Sequence, residues 1–246
     1  MIIQKLPWAG IHVQFDGTSI AIDPLFHFPT KFGQSNEPLY PLDEFGPVDA
    51  VFITHHHGDH FDPEAIALFY GSDIPVYMPA ESLGIVSLGR LERVNGVTIG
   101  DTIQVGSLTG RPSYSVDGLG DPQVSWVIQG GDKKLIHCGD TLWHGYWWKI
   151  KETHGPIDVA CLPVNAAVVE FPGLTPSGQP IVLSPEQAVA AATVLGVKTL
   201  VPIHYKAIHQ PPIYRQTPDL LERLEANAAG KVDLAILQSK EILKLN

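Results

Sequence analysis

Cysteine is scarce in this 246-residue chain: only Cys138 and Cys161 occur, and a disulfide framework is not implied. Charge is sparse as well, at 17% of residues, and basic groups are the rarer kind, with 16 Lys and Arg against 26 Asp and Glu. The net charge of -10 argues against a nucleic-acid binder held by general electrostatics, because phosphate contacts need clustered Lys and Arg. It leaves room for a local basic pocket around one small anion. No run reaches the roughly 18 apolar residues of a membrane span, and the opening MIIQKLPWAG lacks the apolar stretch of a signal peptide. The expectation is therefore no membrane span and a cytoplasmic location. Linkers, internal repeats and low-complexity tracts are missing too. With 44% hydrophobic residues, enough for a sizeable core, residues 1–246 are expected to form one domain. These features set no oligomeric state.

Pro and Gly, in contrast, are plentiful at 21 and 23, and they cut the chain into short strands and turns. Ile11 to Phe15 and Ser19 to Ile22 read as paired strands around Asp16-Gly17. Asp49 to Ile53, Val97 to Val105, Gln123 to Gln129, Lys133 to His137, Ile157 to Leu162 and Lys198 to Ile203 read as further strands, with Val232 to Leu237 and Glu241 to Leu245 closing the chain. Asp62-Pro63-Glu64 has the capping side chain and first-turn proline of a helix start. Ser184-Pro185-Glu186-Gln187 adds a capping box, with Gly196 beyond the expected helix end. Thr217-Pro218-Asp219 opens a last amphipathic helix. The mixture of strands and helices predicts an α/β or α+β fold.

Three apolar strands end in residues able to bind metal. DAVFIT runs into His55, His56, His57, Asp59 and His60, KKLIHCG into Asp140, and TLVPI into His204. Residues two apart in an extended segment point the same way, so His55 and His57 can face one ion together, while His56 points away. Gly58 would let the chain turn, bringing Asp59 and His60 towards a second ion. Imidazole with carboxylate suits zinc, manganese or iron. Asp140 can bridge two ions about 3.5–4 Å apart, the spacing of two-metal hydrolytic sites. A lone histidine is usually an ordinary surface or core residue, and His12, His27, His154 and His209 are read that way.

Thr54-His55-His56-His57-Gly58-Asp59-His60 matches the H-x-H-x-D-H signature of the metallo-β-lactamase superfamily, Gly139-Asp140-Thr141 its G-D-T element and Pro202-Ile203-His204 its final histidine. The stretch from Ser184 to His204 further resembles the metal-dependent hydrolase branch that includes ascorbate-6-phosphate lactonase and N-acyl-phosphatidylethanolamine phospholipase D. The resemblance implies an α+β fold, a four-layer αββα sandwich with metals at one edge. It places one ion on His55 and His57, a second on Asp59, His60 and His204, and Asp140 between them. One or two divalent ions are implied, zinc first, with manganese and iron as alternatives. Asp59 would orient the nucleophilic water or accept its proton.

The family usually has another histidine at the first site. Here the matching region, Gly110 to Ser115, contains none, and no histidine occurs between His60 and His137. His144, in the loop after Asp140, is a better substitute than His137, which should face away from Asp140. Trp143-His144-Gly145-Tyr146-Trp147-Trp148 could wall a pocket or pack as core. Arg111, Lys206 and Arg215 are the candidate partners of an anionic substrate, although each is more simply a solvated residue. Asn165 is placed to reach the site, and Pro172 to Gly178 to cover its entrance. The leading expectation is a hydrolase of a small ester, lactone or phosphodiester. A non-haem iron oxygenase and a non-catalytic metal-binding module stand as rivals.

Overall fold

The computed structural model describes residues 1–246. In chain order, β1 (Ile2–Lys5), β2 (Ile11–Phe15), β3 (Thr18–Ile22) and β4 (Ala50–Phe52) are followed by helix α1 (Pro63–Phe69), β5 (Val76–Pro79) and β6 (Val94–Val97). Next come β7 (Ile103–Val105), β8 (Leu108–Tyr114), β9 (Val124–Gly130), β10 (Lys133–His137), α2 (Trp147–His154), β11 (Val159–Pro163) and β12 (Val168–Val169). The chain ends with α3 (Pro185–Leu195), β13 (Thr199–Ile203), β14 (Tyr214–Arg215), α4 (Leu220–Ala228), β15 (Asp233–Leu234) and β16 (Ile242–Lys244). One sheet has the order β16-β1-β2-β3-β4-β5-β6 and the other β15-β13-β11-β10-β9-β8-β7. The short strands β12 and β14 pair apart from both.

Strand alternation builds the layers, because successive side chains leave a strand on opposite faces. Ala50 and Phe52 of β4 meet Val124, Trp126 and Ile128 of β9 in the core between the sheets. Val51 and Ile53 turn outward onto Ala65 and Ile66 of α1. On the other sheet, Ala160, Leu162 and Leu200 turn outward onto Ala188, Ala192 and Leu224 of α3 and α4. The result is the expected αββα sandwich. Both thiols are free and buried, and no helix is long and apolar enough to cross a membrane.

The starts of α1 and α3 form as their sequences dictate, while α2 and α4 begin without a side-chain cap. Asp62 accepts a hydrogen bond from the Ala65 N–H at 3.0 Å. Ser184 and Gln187 form a reciprocal capping box, and Gly196 takes the left-handed conformation past α3 that suits a residue without Cβ. Val97 to Val105 is not one strand. Asp101 accepts from the Thr98 N–H at 2.7 Å and Gly100 has φ +107°, so the chain turns there and passes from the first sheet to the second. Strand β8 was hidden by Gly110 and Pro112, yet Gly110 is needed: an added Cβ would lie 2.5 Å from the Phe52 ring.

Candidate metal centre

The segment after β4 delivers His55, His57, Asp59 and His60 to one edge of the sandwich. The turn is closed by hydrogen bonds from the His60 and Phe61 N–H groups to the His57 carbonyl, at 2.9 and 2.8 Å. Gly58 is not required for it: its φ is not positive, and a Cβ there would meet nothing nearer than 3.8 Å. Gly139 is the constrained glycine. It has φ +55°, and a Cβ would fall 2.7 Å from Thr54 Oγ1. That close approach carries Asp140 past the end of β10 to the histidines. His204, with φ 58°, follows β13 on the same edge.

The carboxylate of Asp140 lies at the middle. Its oxygens are 3.0 Å from His60 Nε2, 2.7 Å from His204 Nε2 and 3.9 Å from His55 Nε2. Asp59 Oδ2 is 3.9 Å from both His60 Nε2 and His204 Nε2. Candidate donor atoms of Asp59, His60, Asp140 and His204 all lie within 4.8 Å of one another. A second group on the same edge meets the same limit: His55, His57 and Asp117. The structure thus brings together all six residues singled out in the sequence and adds Asp117. His137 instead contacts the Ala9 carbonyl through Nε2 at 2.8 Å. His144 does not substitute for the absent histidine. Its ring stacks on Trp147 at 4.4 Å, and its Nδ1 accepts from the Tyr146 N–H at 3.2 Å.

Hydrogen bonds fix which ring nitrogen is free. Thr54 donates its hydroxyl proton to Asp23 Oδ2 at 2.6 Å, so at 2.9 Å the His55 Nδ1–H donates to Thr54. His60 Nδ1–H donates to the same Asp23 oxygen at 2.8 Å, and His57 Nε2–H to Asp121 Oδ2 at 2.8 Å. Each arrangement leaves one lone pair for an ion, the usual way in which a ligand's partner sets its tautomer. His55 Nε2 and His204 Nδ1 are buried without hydrogen-bond partners, and His60 Nε2 and His204 Nε2 meet only the Asp140 carboxylate. Buried polar atoms are normally satisfied, so these donors fit a divalent ion.

The electrostatics agree. Burial, followed by the neighbouring His60 and His57, holds His55 well below the ordinary imidazole range. Burial opposes charge on His60 as well, but Asp140 and Asp23 outweigh it and raise that ring well above the range. Asp140 is held far below the usual carboxylate range, despite burial, by His204 and His60. Burial raises Asp117. Around Asp140 and Asp23 positive charge is stabilised, whereas His55 is held neutral, the form that binds an ion.

A cavity of about 500 Å³ opens over these groups. His57, Asp59, Asp117 and Asp140 line it on the metal side, while Phe32, Phe171, Leu174, Ile181 and Ile213 contribute apolar wall. Pro172 and Leu174 belong to the loop expected at the entrance. Lys31 is the cation here, its Nζ 4.8 Å from the Phe32 ring centre and 5.0 Å from that of Phe171. The anticipated cations lie elsewhere: Arg111 bonds Gln129, Lys206 bonds Gln238, and Arg215 is exposed on β14. Asn165 contacts the cavity indirectly, donating at 3.0 Å to the hydroxyl of Tyr214, a lining residue. Of the aromatic run, Trp147 is buried core and Trp143, Tyr146 and Trp148 are exposed; none lines the cavity.

Sequence reading missed Asp23, Trp8 and Asp117. Asp23 ends an apolar strand, as Asp140 nearly does, which was a usable signal. Trp8 has φ 57°, donates from its indole N–H to Asp59 Oδ2 at 3.2 Å and packs 4.1 Å from His204; nothing local in the sequence marks it.

A four-layer sandwich with a histidine and carboxylate centre at one edge defines a metallo-β-lactamase-type protein. The family model described as a β-lactamase superfamily domain matches residues 18–205, and the chain belongs to that superfamily. A relative from Rubrobacter xylanophilus, described as a metal-dependent hydrolase, is 28% identical over 242 residues, 92% of this chain and 89% of its own. A solved metallo hydrolase of Ignicoccus hospitalis superposes with a TM-score of 0.73 at 22% identity, covering 100% of this chain and 99% of that one. The diiron β-hydroxylase CmlA of Streptomyces venezuelae gives a TM-score of 0.75 at 16% identity, covering 99% of this chain and 54% of its own. At these identities the solved structures speak to the fold.

Proposed function

We propose that the chain is a metal-dependent hydrolase of small molecules bearing an ester, lactone or phosphodiester group, acting in the cytoplasm. The observation that carries this reading is the convergence of Asp59, His60, Asp140 and His204 beneath an open cavity, with unpartnered nitrogens facing inward. His55, His57, Asp59, His60, Asp140 and His204 would hold one or two divalent ions, with zinc, manganese or iron suited to the donors. A bound ion supplies Lewis acidity and lowers the pKa of water from about 15.7 towards 7. Asp59, held by the Trp8 indole, is placed to orient the attacking water or take its proton. Lys31 is placed to pair with an anionic substituent, and Phe32 and Phe171 to cover an apolar one. Two free thiols suit a reducing compartment.

The test is turnover of p-nitrophenyl phosphodiesters and of lactones by metal-replete protein, with dioxygen uptake followed in parallel. Hydrolysis of one ester class without oxygen consumption is expected. Stoichiometric metal with no turnover of any of them would leave a binding module. Oxygen chemistry is the second reading, and one observation favours it: Asp117 gives the first group two imidazoles and one carboxylate, the donor set of non-haem iron oxygenases.

A further inference from the structure

The absence of a third histidine at the first site has a structural answer on β8. Beyond Tyr114 the chain stays extended far enough for Asp117 to form a bridge with Thr141, the residue after Asp140. This pairing sets Asp117 beside the G-D-T segment. Its carboxylate is pinned, since Oδ1 accepts from the Leu119 N–H at 2.7 Å and from the Asp121 N–H at 3.2 Å. Oδ2 is left facing His57 Nδ1 at 3.9 Å. That nitrogen is the one freed by the bond from His57 Nε2–H to Asp121. His55 Nε2, fully buried and unpartnered, completes the group.

We infer that Asp117 is a metal ligand and that, with His55 and His57, it completes the first site in place of the absent third histidine. The inference rests on reading the cavity floor as a two-ion centre. Its chemical basis is the donor set. Two imidazoles and one carboxylate, with further positions open, serve catalytic zinc and non-haem Fe(II) alike. Charge favours a carboxylate at this position, whichever divalent ion binds. Asp59, Asp117 and Asp140 supply three negative charges, so two divalent ions with one hydroxide are neutral overall. With histidine at 117 the same centre would carry one positive charge. Iron in this site is compatible with hydrolysis as well as with oxygen chemistry, because Fe is among the ions that act as Lewis acids.

The experiment is metal analysis of full-length protein made in a defined medium with equimolar iron, manganese and zinc, compared with Asp117→His and Asp117→Asn, each checked for folding by circular dichroism. The wild-type protein is expected to hold two equivalents of divalent metal. Asp117→His, which keeps a donor at this position, should hold both. Asp117→Asn should lose one equivalent, with first-site affinity down at least about 100-fold, since even the hydrogen-bond partners of ligands are worth 10–100-fold. Two equivalents retained in folded Asp117→Asn would overturn the ligand assignment. Metal content is read without any substrate, so a failed hydrolase assay leaves these outcomes intact, and failure here leaves hydrolysis at the second group standing.

Discussion

The His57 side chain keeps 20% of its surface exposed, and its partner Asp121 keeps 39%; His60 and its partner Asp23 keep none. Both rings make the same 2.8 Å bond to a carboxylate. The two halves of the centre therefore share one design and differ in its setting. The inner half is locked by groups that answer to several neighbours: Asp23 also takes the Thr54 N–H and hydroxyl at 2.8 and 2.6 Å, and Trp8 spans Asp59 and His204. The outer half stands at the cavity wall on a carboxylate that solvent can reach, in a medium where charges are screened. The inner half should hold its ion more tightly, and the outer half should be the one that exchanges.

Asp140→Ala is the largest perturbation, because it removes the carboxylate between the halves. It should abolish hydrolysis, and equilibrium dialysis should show both equivalents weakened by more than the roughly 10–100-fold typical of a ligand's hydrogen-bond partner. Full activity of a metal-replete variant would contradict the shared centre. Asp23→Asn comes next. It leaves the fold's volume unchanged but weakens the hold on His60 and, through Thr54, on His55. A fall of about 10–100-fold in metal affinity, larger for the inner ion, is expected by calorimetric titration. Asp121→Ala should cost less, about 10-fold, and only at the outer site; an equal loss at both sites would erase the distinction between the halves.

Chelation sharpens the comparison from another side. Without an ion, His60 is charged against Asp140 and Asp23, with its folded pKa raised above the ordinary 6.5. A raised histidine contributes stability that is full below 6.5 and is lost as pH climbs through the folded value. Thermal melts of chelated protein should therefore fall as pH rises above 6.5, whereas metal-loaded protein should not show that loss. A flat profile after chelation would show that the pair does not form. The smallest effect is expected at Lys31, whose Nζ lies over two aromatic rings. Lys31→Met should raise KM for anionic substrates a few-fold, the scale of an exposed ion pair at roughly 0.2–1 kcal/mol, and leave kcat unchanged.

The inner donors were legible in the sequence; of the outer half, His55 and His57 were legible and Asp117 was not. Asp59, His60, Asp140 and His204 are announced by apolar strands that stop at a ligand, and that pattern is local. Asp117 follows no such strand. It reaches the centre through its bridge to Thr141, a contact across the sheet that spacing does not report. Strand β8 itself was obscured because Gly110 and Pro112 read as breakers, although one is demanded by the Phe52 ring. The division of Val97 to Val105 between two sheets has the same origin: apolar periodicity is continuous there, and Gly100 with Asp101 decides the outcome. The starts of α1 and α3 were read correctly because capping involves residues within three positions of one another, whereas α2, whose first residue follows Tyr146 without a side-chain cap, was not read.

The seven candidate donors are drawn from both sheets, His55 to His60 from the first and Asp117, Asp140 and His204 from the second. An ion seated among them would act as a rivet through the sandwich. Its binding free energy would then be partly a clamping energy, and its loss would be felt as joint fraying of the ends of β4, β10 and β13. Amide hydrogen exchange at those three strand ends, otherwise distant in the chain, would then quicken together as metal is withdrawn.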